Sequence, residues 1–215
     1  MKPETLPPEA RMMKFILGKW ISKPIHLAAT LGMADILAKG PTNVHKLSEI
    51  TETHESSLYR MMRALSGVGI FAETRERVFM NTRLSECLMQ GRLRSVALMF
   101  HSTWHDKMWD HLSHSIKTGE SSFEKIHGEP VFEWFGKHPQ DAALFHEANS
   151  FKAASSHSAI LGVCDFGKIR KLTDVGGGLG GLMFEILKAN PEANIIAGGV
   201  LYFTDISITV SVISE

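Results

Sequence analysis

Apolar residues recur at helical spacing from about Met12 to Ala38. Phe15, Ile16, Trp20, Ile25, Leu27, Ala28, Leu31, Met33, Ile36 and Leu37 form a broad apolar face. Gly40-Pro41 ends that element. A helix so apolar at this point of the chain serves either a core or a partner subunit. Val44 to Ile50 predicts a short helix, and Thr51 to Glu55 a polar turn. Ser56 to Val68 predicts a second helix, with Leu58, Met61, Met62, Leu65 and Val68 on one side. Gly69-Ile70-Phe71 leads into a strand, Glu73 to Arg77 forms a charged turn, and Val78-Phe79-Met80 returns. Helix, turn, helix and hairpin in that order describe a winged helix.

Further along, Arg94 to Lys117 predicts one or two helices carrying Trp104 and Trp109, with a break at Thr118-Gly119-Glu120. Pro130 to Phe135 opens another helix, and His138-Pro139 starts one that runs through Ala148 towards Leu161. The pattern then changes to a strand over Ile169 to Val175, a glycine loop from Gly176 to Gly181, and a helix from Leu182 to Ala189. A second strand is expected near Asn194 to Phe203. There is no internal repeat and no low-complexity segment.

The glycine loop carries the candidate chemistry. Asp174 ends the strand, and Gly176, Gly178 and Gly180 follow before the helix. Glycine permits a tight turn and lets the backbone approach a ligand. The helix start offers unpaired N–H groups. In an open α/β sheet this is where a nucleotide-like ligand binds. The acid ahead of the glycines suits the cationic methionine end of S-adenosylmethionine (SAM). The plainer alternative is a strand-to-helix turn with no ligand.

Three stretches share a family resemblance. The run LTDVGGGLGGLMFEILKANPEA resembles the cofactor motif of the bacterial and plant small-molecule O-methyltransferases. LSEITETHESSLYRMMRALSGVGIF resembles the helix-turn-helix of their winged-helix dimerisation domain. The segment from Trp109 to Asn149 resembles their connector. The resemblance implies an α+β chain: a helix-rich winged-helix dimerisation domain over residues 1–95, a helical connector over 96–165, and the first strands and helix of a Rossmann-like SAM-binding domain over 166–215. It implies SAM as cofactor, a homodimer, and methyl transfer to a hydroxyl of a small, aromatic molecule. Asp174, Gly176, Gly178, Gly180 and Ser150 are the cofactor-binding candidates it assigns, and Trp104, Trp109 and Asn149 the substrate-binding ones. For the two tryptophans, core packing of a helix pair is an equal alternative.

The same resemblance breaks near the end of the chain. The family pattern has an acid at the end of the second strand to hold the ribose. Here only Asp205 could serve, late in the sequence, and the run from Ile206 to Glu215 departs from the pattern. The catalytic His base of the family pattern has no counterpart before Glu215, so a truncated chain, inactive alone, is the expectation.

Composition removes several rivals. Lys plus Arg and Asp plus Glu are both 23, so the basic excess of a nucleic-acid binder is absent. A regulator would use Arg60, Arg63, Arg75 and Arg77 on phosphates, but Glu52, Glu55, Glu73 and Glu76 are interleaved with them. A non-catalytic dimerising remnant is the other alternative. Cys87 and Cys164 form no CxxC motif, which predicts a reducing cytoplasm. No signal peptide and no membrane span are expected. Among the 11 histidines, His101/His105 and His111/His114 share helix faces, but no HExxH or acidic cluster joins them, so no metal is expected.

Overall fold

The structure is a computed structural model, and it describes residues 6–169, 171–175, 177, 180–191, 196–200 and 209–212. The chain is α+β and divides into two compact units, Met1–Thr103 and Trp104–Glu215.

The first unit opens with α1 (Pro8–Ile16), α2 (Lys19–Thr30) and α3 (Met33–Leu37). The sequence pattern predicts one long helix here. Leu17-Gly18 interrupts it once, and Gly32, at φ 65°, interrupts it again. Glycine adopts that left-handed geometry without the steric cost that a side chain brings. Then follow β1 (Thr42–Asn43), α4 (Val44–Thr51), α5 (Glu55–Gly67), β2 (Phe71–Arg75) and β3 (Val78–Asn81). Asn43 caps α4 by accepting the His45 N–H at 2.9 Å. The three strands form an antiparallel sheet in the order β1-β3-β2. Its hydrophobic cluster joins Met33 and Leu37 to Leu47, Met62, Leu65, Phe71 and Phe79.

One polar knot ties these pieces. Glu55 at the start of α5 is hydrogen-bonded to His45 of α4 and ion-paired to Arg77 of the hairpin turn. These two partners hold its carboxyl below the ordinary range, His45 more than Arg77. Arg77 has φ 63°, uncommon for a residue with a side chain, and its guanidinium lies 4.6 Å from the Tyr59 ring centre. The unit ends with α6 (Arg83–Glu86), under a Thr82–Ser85 capping box, and α7 (Arg94–Phe100).

The second unit begins with four short helices: α8 (Thr103–Asp110), α9 (Leu112–Thr118), α10 (Ser122–His127) and α11 (Val131–Lys137). The long α12 (Pro139–Val163) follows. Gly119 and Gly128, both left-handed, stop α9 and α10. Trp104, Phe123, Trp134 and Phe135 are buried together. Trp104 meets Phe135 edge-on at 5.3 Å, and His127 stacks on Phe123 at 4.4 Å. Burial in this cluster lowers the His127 pKa below 6.5, with Lys107 and His138 adding to the effect. Neutral His127 therefore contributes stability that is complete above about pH 6.5 and is lost as pH falls through its lowered folded value. Thermal melts should decline from pH 7 to pH 5, and His127→Phe should flatten part of that decline. An unchanged slope in the variant would refute the assignment.

The chain then forms β4 (Lys171–Val175), α13 (Gly181–Ala189), β5 (Ile196–Val200) and β6 (Thr209–Val212). β4 and β5 are parallel, with Lys171 opposite Ile196 and Val175 opposite Val200, so β4-α13-β5 is a βαβ unit. β6 lies antiparallel on the far side of β5.

Candidate functional site

The glycine loop leaves the C-terminal end of β4 and enters α13. Its local geometry follows from the glycines that can be described. Gly180 has φ 76° and stands at the N-cap of α13, and its N–H donates to the Gly177 carbonyl at 2.9 Å. Gly177 has no side chain for a different reason: a Cβ there would fall on the Asp174 carboxylate. Asp174 thus folds back over the loop it precedes. Its Oδ2 is buried and accepts no hydrogen bond among the described residues. A buried carboxylate oxygen without a donor is costly, so a cation or donor brought by a ligand would be stabilised there.

A hydrophobic base supports the loop. Phe166 and Ile186 are buried together, with Ile160 and Leu161 of α12, Leu172 of β4 and Leu182 of α13 against them. A cavity of about 90 Å³ lies between β4 and α13, lined by Leu172, Asp174, Leu182 and Met183 among others. Sites for drug-sized ligands run to roughly 300 Å³ or more. The cavity is therefore a packing gap, too small for a nucleoside.

The residues singled out from sequence fall in three places. Asp174 and Gly180 flank the loop; Gly176 and Gly178, between them, lie outside the described residues, as does Asp205. Asn149 and Ser150 sit side by side on α12. Ser150 is exposed, while the Asn149 amide donates to the Phe145 carbonyl of its own helix at 3.0 Å. Trp104 is in the aromatic cluster, 6% exposed, and its Nε1 has no hydrogen-bond partner among the described residues. Trp109 is 59% exposed, its ring centre 6.2 Å from that of His105. Gly177 escaped the sequence reading. The signal that marks it is the position of the Asp174 side chain, which the sequence does not show.

No group of three or more His, Cys, Asp or Glu among the described residues is arranged to hold a metal ion. No helix among them is long and apolar enough to cross a membrane.

Comparison with known proteins fits this geometry to a family. The O-methyltransferase dimerisation-domain model matches residues 13–91, and the O-methyltransferase domain model matches residues 109–200. The chain belongs to the O-methyltransferase family. A phenazine O-methyltransferase of Lysobacter antibioticus is 30% identical over 200 residues, which are 92% of this chain and 57% of the relative. A mitomycin biosynthesis 6-O-methyltransferase of Streptomyces lavendulae is 31% identical over 187 residues, 85% of this chain and 54% of the relative. The crystal structure of LaPhzM superposes with a TM-score of 0.83 at 30% identity, over 89% of this chain and 58% of that one. The chain thus spans little more than half the length of the relatives it matches.

Proposed function

We propose that this chain carries the cofactor-loop part of a SAM-dependent O-methyltransferase that acts on a hydroxyl of a small aromatic molecule. The observation that carries this reading is the buried Oδ2 of Asp174, over Gly177 and without a hydrogen-bond partner among the described residues. Those residues fit SAM. Asp174 offers a negative charge to its ammonium and sulfonium end, Gly176, Gly178 and Gly180 keep the loop bare of side chains, and the first turn of α13 supplies N–H groups. Bound there, SAM supplies an activated methyl group. The protein's part is to hold that group in line with an acceptor oxygen and to keep water away. Ser150 is assigned to the cofactor side, and Asn149, Trp104 and Trp109 to the wall of the acceptor pocket. The aromatic acceptor is supported by the name of the phenazine O-methyltransferase above.

Calorimetry of this chain with S-adenosylhomocysteine (SAH) tests the reading. Micromolar binding that Gly178→Asp abolishes is expected. A chain folded by circular dichroism that binds no SAH would sink it.

Residues 1–95 are assigned to a winged-helix homodimerisation domain, residues 96–165 to a connector, and residues 166–215 to the cofactor domain. Support for the dimer comes from α1 and α2, where Phe15, Ile16 and Trp20 are each more than 60% exposed. So much exposed apolar surface is uncommon on a monomer. Sedimentation should give a dimer at micromolar concentration, and Phe15→Glu with Trp20→Glu should give a monomer. A folded monomer without any substitution would overturn the assignment. The regulator reading has less support: Arg77 is ion-paired to Glu55, and Arg63 and Arg77 both lie over the Tyr59 ring.

A further inference from the structure

The face of α12 that supports the glycine loop extends beyond its apolar residues. Ile160 and Leu161 pack against the Phe166–Ile186 core. One turn earlier on the same face stands His157. Its half-buried ring reaches the first residue of α13, since a Cβ built at Gly181 would lie 3.1 Å from its Cε1 and 3.7 Å from its Nδ1. Gly181 does not need to be glycine for its backbone: it is the first helical residue, without the positive φ seen at Gly180. The His157 imidazole crowds the space of its missing side chain.

We infer that His157 is a positioning residue of the cofactor loop, wedged against Gly181 so that it sets where the N-terminal turn of α13 stands relative to Asp174. The inference rests on the cofactor reading above. The loop is anchored on its strand side by Asp174, which lies over Gly177. On its helix side the described anchor is the seat of α13 on α12, where Ile160 and Leu161 share a cluster with Leu182 and His157 reaches Gly181, the first residue of the helix. Donors that bind an anion or a carbonyl lose much of their value when displaced by a fraction of an ångström, so a wedge at this point acts on affinity.

The wedge has a reciprocal signature. A methyl group at position 181 should push the imidazole or the helix start by a few tenths of an ångström. Removing the imidazole should make the same methyl group harmless. SAH affinity should be measured by calorimetry, beside the thermal midpoint, for the unaltered chain, His157→Ala, Gly181→Ala, the double variant, and His157→Gln. Gly181→Ala is expected to weaken SAH by about tenfold, and the double variant to bind as His157→Ala does, a non-additivity of the size found for residues in contact. His157→Gln, which keeps the reach of the side chain, should hold within about threefold of the unaltered chain, whereas a role in folding alone would move the thermal midpoint of these variants and leave their SAH affinity unchanged. SAH binding with losses that simply multiply in the double variant would overturn the inference while leaving the cofactor reading intact. Absence of SAH binding by the unaltered, folded chain would overturn both.

Discussion

Gly177→Ala is expected to abolish most cofactor binding while leaving the chain folded. The new methyl group would coincide with the Asp174 carboxylate, which must then swing off the loop. Asp174 is half-buried at the end of β4, and neither β4 nor α13 depends on its side chain for packing. The fold therefore loses little. The ligand loses a charged partner, which is worth about 1.5–3 kcal/mol, or roughly 10- to 150-fold in affinity. SAH titration should read that loss, with a thermal midpoint within a few degrees of the unaltered chain. Asp174→Asn, which keeps the shape and removes the charge, separates charge from sterics and should cost a similar factor. Full affinity in Gly177→Ala would mean that the Asp174 carboxylate does not face the ligand. A collapsed thermal midpoint would mean that the loop holds the βαβ unit together instead.

The part that Gly177 plays in this expectation lies beyond what the sequence shows. The spacing of glycines between a strand and a helix is visible in the string, and so is the acid before them. The strand at Lys171–Val175, the loop and the helix at Gly181–Ala189 follow from hydrophobic runs punctuated by glycine and by Asn190-Pro191. Which glycine is bare because a neighbour fills its side-chain space is a fact of three dimensions. His157 is invisible for the same reason. It reads as one more polar residue in a helix whose hydrophobic pattern is weak, and only the crossing of α12 over α13 gives it a neighbour. The N-terminal helices show the converse limit. Their apolar positions are legible, but the breaks at Gly18 and Gly32 are not, because a single glycine inside a helical pattern is tolerated as often as it ends one. The tryptophans mark a third limit. Trp104 and Trp109 lie on the same short helix, yet one is buried among Phe123, Trp134 and Phe135 and the other faces solvent. Five residues' separation does not place them on one helical face, and composition alone treats them alike.

Phe79→Ala is expected to be the most destabilising single substitution in the first unit. Phe79 is fully buried in β3, the central strand of the small sheet, and pairs with both Thr42 of β1 and Glu73 of β2. Its ring meets Tyr59 edge-on at 6.0 Å and packs in the cluster that joins α2, α3, α4 and α5 to the sheet. Truncating a buried phenylalanine removes its transfer energy and leaves a cavity that surrounding elements only partly fill, at about 3–5 kcal/mol. A domain of this size has a total stability of about 5–15 kcal/mol, so the loss is a large share of it. The effect should also reach function by a route separate from the glycine loop. Tyr59 carries Arg63 and Arg77 on its face, and Arg77 is tied to Glu55, so loss of the Phe79 ring loosens the hairpin turn against α5. Urea denaturation followed by circular dichroism, with sedimentation at the same protein concentration, reads both consequences: a lower midpoint and a weakening of the proposed dimer. Phe132→Ala, at a position 45% exposed in the second unit, is the control and should cost well under half as much. A Phe79→Ala chain whose midpoint matches that control would show that the sheet does not organise the first unit, and that the N-terminal helices fold without it.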